Sequence, residues 1–520
     1  MNVEIQSNQF RRQLPRNLIA KAISFGSSIL MGLWLVPFRG RHIGMAAYGM
    51  VPIAALFTQY VGIVTNALRM PVARFMSVAS REDQDGAKMI FNTAFWLYAT
   101  LAIVQVPLFS LGYVNISRIF SIPSEILRDT QILFVCSFLA FVVGFIGSVF
   151  TVSTFSNNRL DLDEFVNISR TALRATLYLA AFSFLEPALR WVGYIELVVS
   201  LYALVCQIAI WHRITPFLRL QLSKISLGKI RPIIAMSLWG IVDTIGALLF
   251  LRVNVWLANR FISAEAGGDY GAIQQWDLLF RNAAGVVAMV ISPMVVICYA
   301  QKQFDKAHRI TVTAVRYLTA AIAVPCGVVV GFSPELIHHW LGAAHVALWP
   351  VLAAMVAPLI ISCGIAPVFQ LQNAYNRVRV PAIATLATGI VNLLGCVIAV
   401  RFFGVGILGL ALISSVVFTI KNGLFTVWYA ARISSLSIST YAIPLAQGLL
   451  LASGVVLCSW YVRTTLPVSD LVNLVAAGGA ITLAGYTAFA FAFMTRSERD
   501  GILSWAASLL HRKLAIGNNA

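Results

Sequence analysis

The chain has 520 residues, of which 59% are hydrophobic and only 11% are Asp, Glu, Lys or Arg, with a net charge of +18. A soluble surface needs roughly twice that share of charged residues. A soluble enzyme, a nucleic-acid binder and a secreted disulfide scaffold are therefore excluded, and the long apolar blocks read as membrane helices.

In chain order the blocks run near 17–37, 46–72, 89–113, 131–154, 164–187, 191–211, 232–261, 270–298, 310–332, 346–370, 380–402, 405–430, 441–462 and 471–494. Fourteen membrane helices are thus predicted. Each is long enough to cross about 30 Å of hydrocarbon. The first block is too long for a signal-peptide core, and no small-x-small cleavage site follows it. The seven cysteines lie inside apolar blocks without a C-x-x-C pair and read as small buried hydrophobes.

With the N-terminus inside, 23 Lys and Arg fall on the cytosolic side and 8 opposite, Arg39 and Arg41 among the 8. That excess places both termini in the cytosol. Near the end, Ile502, Leu503, Trp505, Leu509 and Leu510 share one face of an amphipathic tail that would lie along the inner surface.

The chain also repeats itself. Tyr48-Gly49 recurs as Tyr270-Gly271, and a proline follows each tyrosine by 23 residues, Pro71 and Pro293. Asp85, Ala87, Ile90, Thr93 and Ala94 recur at an offset of 220 as Asp305, Ala307, Ile310, Thr313 and Ala314. Asn158-Arg159 recurs as Asn376-Arg377, and Val192-Gly193 as Val405-Gly406. Blocks 1–6 and 7–12 are read as two copies of one unit. Six crossings bring both copies in from the same side, so a two-fold along the membrane normal relates them. The expected fold is an all-α polytopic membrane protein of 14 helices, two six-helix lobes plus two extra helices. Residues 1–212 form the N-lobe, 213–231 a cytosolic linker, 232–432 the C-lobe, 433–495 helices 13 and 14, and 496–520 the cytosolic tail.

This plan resembles the multidrug/oligosaccharidyl-lipid/polysaccharide flippase superfamily, and local patterns resemble its polysaccharide-transporter branch. They are Gly44-Met-Ala-Ala-Tyr48-Gly49 before block 2, Arg69-Met-Pro71-Val-Ala-Arg74 at its inner end, Ala264 to Gly271 before block 8, and Trp340-Leu-Gly342 before block 10. The resemblance spans nearly the whole chain. It implies flipping of undecaprenyl-pyrophosphate-linked oligosaccharide from the cytoplasmic to the outer leaflet of a bacterial inner membrane, for O-antigen or exopolysaccharide synthesis. A polysaccharide polymerase would be a partner. The repeat by itself implies only a transporter of two halves around a cleft.

Ionisable residues at membrane depth are functional candidates by default. A pyrophosphate headgroup would call for cations, and arginine contacts phosphate bidentately. Arg69 lies inside block 2, Arg170 and Arg174 are one turn apart on block 5, Arg252 lies on block 7 and Arg281 on block 8. Lys21, Arg316 and Lys421 complete the set. The plain alternatives are that Lys21, Arg170 and Lys421 snorkel inward, that Arg281 pairs with Asp277, and that Arg252 pairs with Asp277 or Glu196. Asn66, Asn254 and Gln275 are candidate sugar-facing walls. Asp243, about eleven residues into block 7, would bind H⁺ or Na⁺ as a coupling acid, or simply pair with an arginine.

Asp161-Leu-Asp163 spells a metal-binding D-x-D but also starts block 5, where acids cap a helix. His338-His339 are adjacent on an outer loop and diverge, so no metal or other cofactor is expected. Two further classes stay open: another transporter of the superfamily (a lipid II flippase or a cation-coupled drug antiporter), and a membrane polymerase or glycosyltransferase. The cationic interior favours an anionic substrate over an organic cation. The longest outer stretch, around 115–124, is about a dozen residues, too short for a soluble catalytic site.

Overall fold

The computed structural model describes residues 2–65, 68, 72, 75, 76, 84–221, 224–465 and 470–500. Among them all regular structure is helical, as hydrocarbon demands, because a helix satisfies its own backbone groups. The described helices follow the fourteen apolar blocks: α1 (Asn2–Ile43), α2 (Met45–Val61), α3 (Gln84–Val114), α4 (Leu127–Phe150), α5 (Leu160–Phe184), α6 (Leu189–Ile214) and α7 (Leu227–Leu251, continued by Val253–Phe261). Then come α8 (Ala264–Ala300), α9 (Phe304–Gly331), α10 (Ala343–Ala374, in short pieces), α11 (Arg379–Phe403), α12 (Ile407–Ser434), α13 (Ser439–Thr465) and α14 (Leu471–Phe493).

Among the described residues, eleven of these are long and apolar enough to cross a membrane, and twelve if α7 and its continuation, bent by 40°, count as one span. The other two fall short for different reasons. The printed part of α2 is 17 residues. Helix α5 has 25 residues, but Asp161, Asp163, Glu164, Arg170 and Arg174 dilute its apolar character. The helix that looks least like a membrane span carries two of the candidate charges, Arg170 and Arg174.

The chain packs as two compact units, one of Met1–Gln275 with Val378–Val417, the other of Trp276–Arg377 with Phe418–Ala520. These are packing units. The lobe, linker and tail boundaries read from the repeat remain a proposal.

The repeat itself has a visible physical basis. Asn158 and Asn376 both adopt the left-handed conformation, with φ of 55° and 52°. Each ends its helix with the same bond, from the Arg159 N–H to the Thr154 carbonyl and from the Arg377 N–H to the Gln372 carbonyl, both 2.8 Å. Asparagine tolerates this conformation better than other side chains, which explains its recurrence at both caps. Ala87 and Ala307 are both fully buried.

Tyr48 and Tyr270 are both buried, and their glycines mark where α2 meets the start of α8. A Cβ on Gly49 would stand 2.7 Å from the Gly268 backbone nitrogen, and one on Gly271 would stand 2.7 Å from Pro52 Cγ. The repeated glycine of each copy thus lies at the contact between α2 and the start of α8. A Cβ on Gly268 would run into the Met45 carbonyl oxygen. Gly268→Ala should therefore cost about 1–3 kcal/mol, read as a lowered unfolding temperature in detergent. Gly285→Ala, where a Cβ meets nothing within 4 Å, should not lower it.

Candidate functional site

The first unit holds a cavity of about 630 Å³ between α2, α3, α4, α5 and α6. One wall is aromatic: Tyr98 stacks on Phe145 at 4.1 Å within a core that includes Phe91, Phe150 and Leu68. The opposite wall is polar and comes from α5. Asp163, Asn167 and Arg170 line the cavity, and Arg174 continues the same face one turn further on, since positions four and seven apart share a helix face. Gln59, Ser200 and Gln207 add neutral polar groups.

Arg174 meets a carboxylate. Its Nη2 donates to Glu196 Oε2 of α6 at 2.8 Å. The other oxygen, Oε1, accepts from Arg39 Nη2 of α1 at 3.3 Å. Arg39 also donates to the Tyr178 hydroxyl and lies over the Tyr178 ring, 4.4 Å from its centre. One carboxylate thus joins three helices. This corrects the placing of Arg39 among the outer loop charges: it is inside α1 and 8% exposed. Little in the sequence signals this, because Arg39 follows an apolar run but stands beside Arg41 and His42.

Further along the same helix pair, Lys21 donates to Glu164 at 2.7 Å. Asn17 reinforces it, donating to the Asn158 carbonyl at 3.1 Å and accepting from the Asp161 N–H at 3.0 Å. Lys21 is therefore an ion-pair partner, with its side chain 42% exposed. The D-x-D acids are occupied locally. Asp161 accepts from Arg159 at 3.0 Å, and Asp163 accepts from the Thr154 hydroxyl.

Arg252 occupies the break between α7 and its continuation. It reaches Gln274 Oε1 at 3.4 Å, and Gln274 turns its Nε2 to the Leu251 carbonyl. The bend frees backbone groups, and Gln274 re-satisfies one of them. Of the two acids expected for Arg252, Glu196 pairs with Arg39 and Arg174, and Asp277 with Arg281. Nearby, Asn254 is 2% exposed and bonded to Tyr270 at 2.9 Å and Ser414 at 2.6 Å. Ser414 passes the network to Asn392 at 2.7 Å. Asn254 is thus held in the interior of this bundle. Gln275 is partly buried and packs against Gly32. Asp243 is an exposed residue of α7.

In the second unit, Arg281 Nε donates to both oxygens of Asp277, at 3.0 and 2.9 Å, and its guanidinium lies 4.2 Å from the Phe418 ring centre. Lys421 sits in a π-helical turn, Ile420–Phe425, with its ammonium 5.1 Å from the Phe369 ring centre. His338 and His339 belong to a short helix, Ser333–Leu341, rather than a loop. Arg316 pairs with Glu498 at 3.0 Å. Thr495 and Glu498 form a reciprocal cap, the Thr495 N–H donating to Glu498 at 2.8 Å and the Glu498 N–H to the Thr495 hydroxyl at 3.3 Å. The Thr495 backbone N–H, helped by its hydroxyl and by Arg316, holds the Glu498 carboxyl below the ordinary glutamate range. This contact therefore contributes above the ordinary glutamate pKa and is lost as pH falls through the lowered one. Arg69, Asn66 and the tail beyond residue 500 lie outside the described residues.

No family model matches the chain. It is 26% identical over 499 residues to the uncharacterized membrane protein EpsK of Bacillus subtilis (strain 168), covering 94% of this chain and 97% of the relative. The fold is similar to that of the lipid II flippase MurJ in an inward closed conformation, with a TM-score of 0.63 and 13% identity, covering 91% of this chain and 98% of that one. It is also similar to an inward-facing multidrug resistance MATE family transporter of the MOP superfamily, with a TM-score of 0.64 and 12% identity, covering 81% and 98%. The chain has the fold of these two-lobe transporters. At these identities the likeness shows the fold alone, that of a multi-pass helical membrane protein.

The buried Arg281–Asp277 pair yields a stability test. Removing one partner strands the other, so Asp277→Ala should cost about 3–5 kcal/mol, and Asp277→Ala with Arg281→Leu should cost clearly less. A double-mutant cycle in detergent measures the difference.

Proposed function

We propose that the chain is a flippase that carries undecaprenyl-pyrophosphate-linked oligosaccharide from the inner to the outer leaflet of the bacterial cytoplasmic membrane, for surface polysaccharide synthesis. The observation that carries this reading is the cationic seam of α5, with Arg170 on a cavity wall and Arg174 and Arg39 sharing a single acid. An excess of guanidinium at membrane depth suits an anionic headgroup and repels an organic cation. The fold shared with the lipid II flippase MurJ adds support, since that protein's name too describes a lipid-linked substrate.

In this reading Arg69, Arg174 and Arg281 are the principal headgroup contacts, with Lys21, Arg170 and Arg252 as secondary ones. The two lobes alternate between inward-open and outward-open states. The process needs no covalent chemistry from the protein. Both termini face the cytosol because Lys and Arg crowd that side. H⁺ or Na⁺ would supply the drive through Asp243, and a polysaccharide polymerase would receive the product.

The test is surface polysaccharide in a strain lacking its own copy, with protein level checked by blot. Arg174→Ala should lose most export, Arg174→Lys should keep part of it, and Arg69→Ala and Arg281→Ala should lose most. Wild-type export from all three alanine variants, stable in the membrane, contradicts the reading. Loss of export from Asp243→Asn alone, with the arginine variants active, favours a cation-coupled antiporter.

Topology has its own test. A cysteine placed at Glu265 or His338 should react with an impermeant thiol reagent from outside, and one at Leu222 should not. Labelling of Leu222 from outside contradicts cytosolic termini.

A further inference from the structure

Glu196 connects three helices, yet it satisfies only part of what surrounds it. Arg39 and Arg174 together bring two positive charges to one carboxylate. Each guanidinium has five N–H donors, and the Nε of both is buried without a hydrogen-bond partner. Arg39 is 8% exposed, so water is a poor substitute. Buried donors left unmade are costly, and a site built only for a carboxylate would not hold two such groups.

The position relative to the cavity is equally telling. Arg170 and Ser200 both line it. Arg174 is one turn beyond Arg170 on α5, and Glu196 is one turn beyond Ser200 on α6. The two helices run antiparallel, so both steps lead in the same direction. The Arg39–Glu196–Arg174 bridge therefore lies about one helical turn beyond the cavity wall.

We infer that Glu196 is an internal stand-in for the diphosphate, holding Arg39 and Arg174 in the unloaded state and giving them up when the lipid headgroup arrives. The inference rests on the flippase reading above and adds Arg39 to its binding residues. A diphosphate diester brings a second negative charge and more acceptor oxygens than a carboxylate, so it matches two guanidiniums better. For the displaced carboxylate α5 carries a further cation, Arg170, one turn from Arg174. Displacement would also break the ion pairs of Glu196 from α6 to α1 and α5, which ties headgroup arrival to freedom of α6. Glu196 is thus a positioning residue for the two arginines.

The experiment uses the full-length protein in detergent micelles, with farnesyl diphosphate as the probe and inorganic pyrophosphate in parallel, read by tryptophan fluorescence titration. Removing the competing carboxylate should tighten binding. Glu196→Gln should bind farnesyl diphosphate about tenfold more tightly than the wild type, while Arg39→Gln and Arg174→Gln should bind about tenfold more weakly. A mere structural brace would not tighten binding when removed. Glu196→Asp keeps the charge but is too short to span both arginines, and should tighten binding about threefold. It serves if the glutamine variant does not fold. Equal or weaker binding by both folded Glu196 variants overturns the exchange and leaves the flippase reading standing. No farnesyl diphosphate binding by any protein, wild type included, overturns the diphosphate reading beneath it. Equal affinity of the wild type for inorganic pyrophosphate and farnesyl diphosphate overturns the lipid as the source of the phosphates.

Discussion

Hydrocarbon offers a charged side chain no partner, so each cation brought to membrane depth must find one inside the protein. That constraint organises the pairings described above. Lys21 finds Glu164, Arg39 and Arg174 share Glu196, and Arg281 grips Asp277 with Phe418 beneath it. Two of these contacts stitch α1 to α5 and α6, and the third is internal to α8. Their cost in desolvation makes them poor sources of stability. At Glu196 two arginines share one acid, and in the proposed function that imbalance serves binding.

The same solvent shapes the backbone. Prolines lie inside α2, α8, α9 and α13, α7 bends by 40° and α12 contains a π-helical turn. Each irregularity frees backbone groups that the neighbouring structure must satisfy, as Gln274 does at Leu251. Such sites are where long helices change direction, and a π-helical turn frequently accompanies a functional site. A transporter that alternates between two shapes needs helices that can bend at defined points.

Much of this was legible in the amino-acid order, and the reasons are local. Apolar blocks mark helices because span length is set by bilayer thickness. Asp277 and Arg281 pair because they are four residues apart. Asn158 and Asn376 recur because one kind of helix cap requires one kind of residue. What was not legible depends on tertiary proximity. Arg39, Tyr178 and Glu196 are far apart in the chain, and no spacing rule joins them. For that reason Arg39 reads as a loop charge in the sequence, although it lies inside α1. Asn254 looked like a polar wall because its partners, Tyr270 and Ser414, lie on other helices.

The central claim is that the cationic interior moves a diphosphate-linked lipid across the bilayer. The most direct measurement is reconstitution of the purified protein into liposomes with a fluorescent polyprenyl-diphosphate oligosaccharide in both leaflets. An impermeant quencher then reports exchange from the inner leaflet. The account expects quenching to proceed well beyond the half available in protein-free vesicles, and to slow sharply when the same sugar is joined to the lipid without the diphosphate. Equal transfer of the uncharged analogue, or transport of an organic cation with none of the diphosphate lipid, would contradict it.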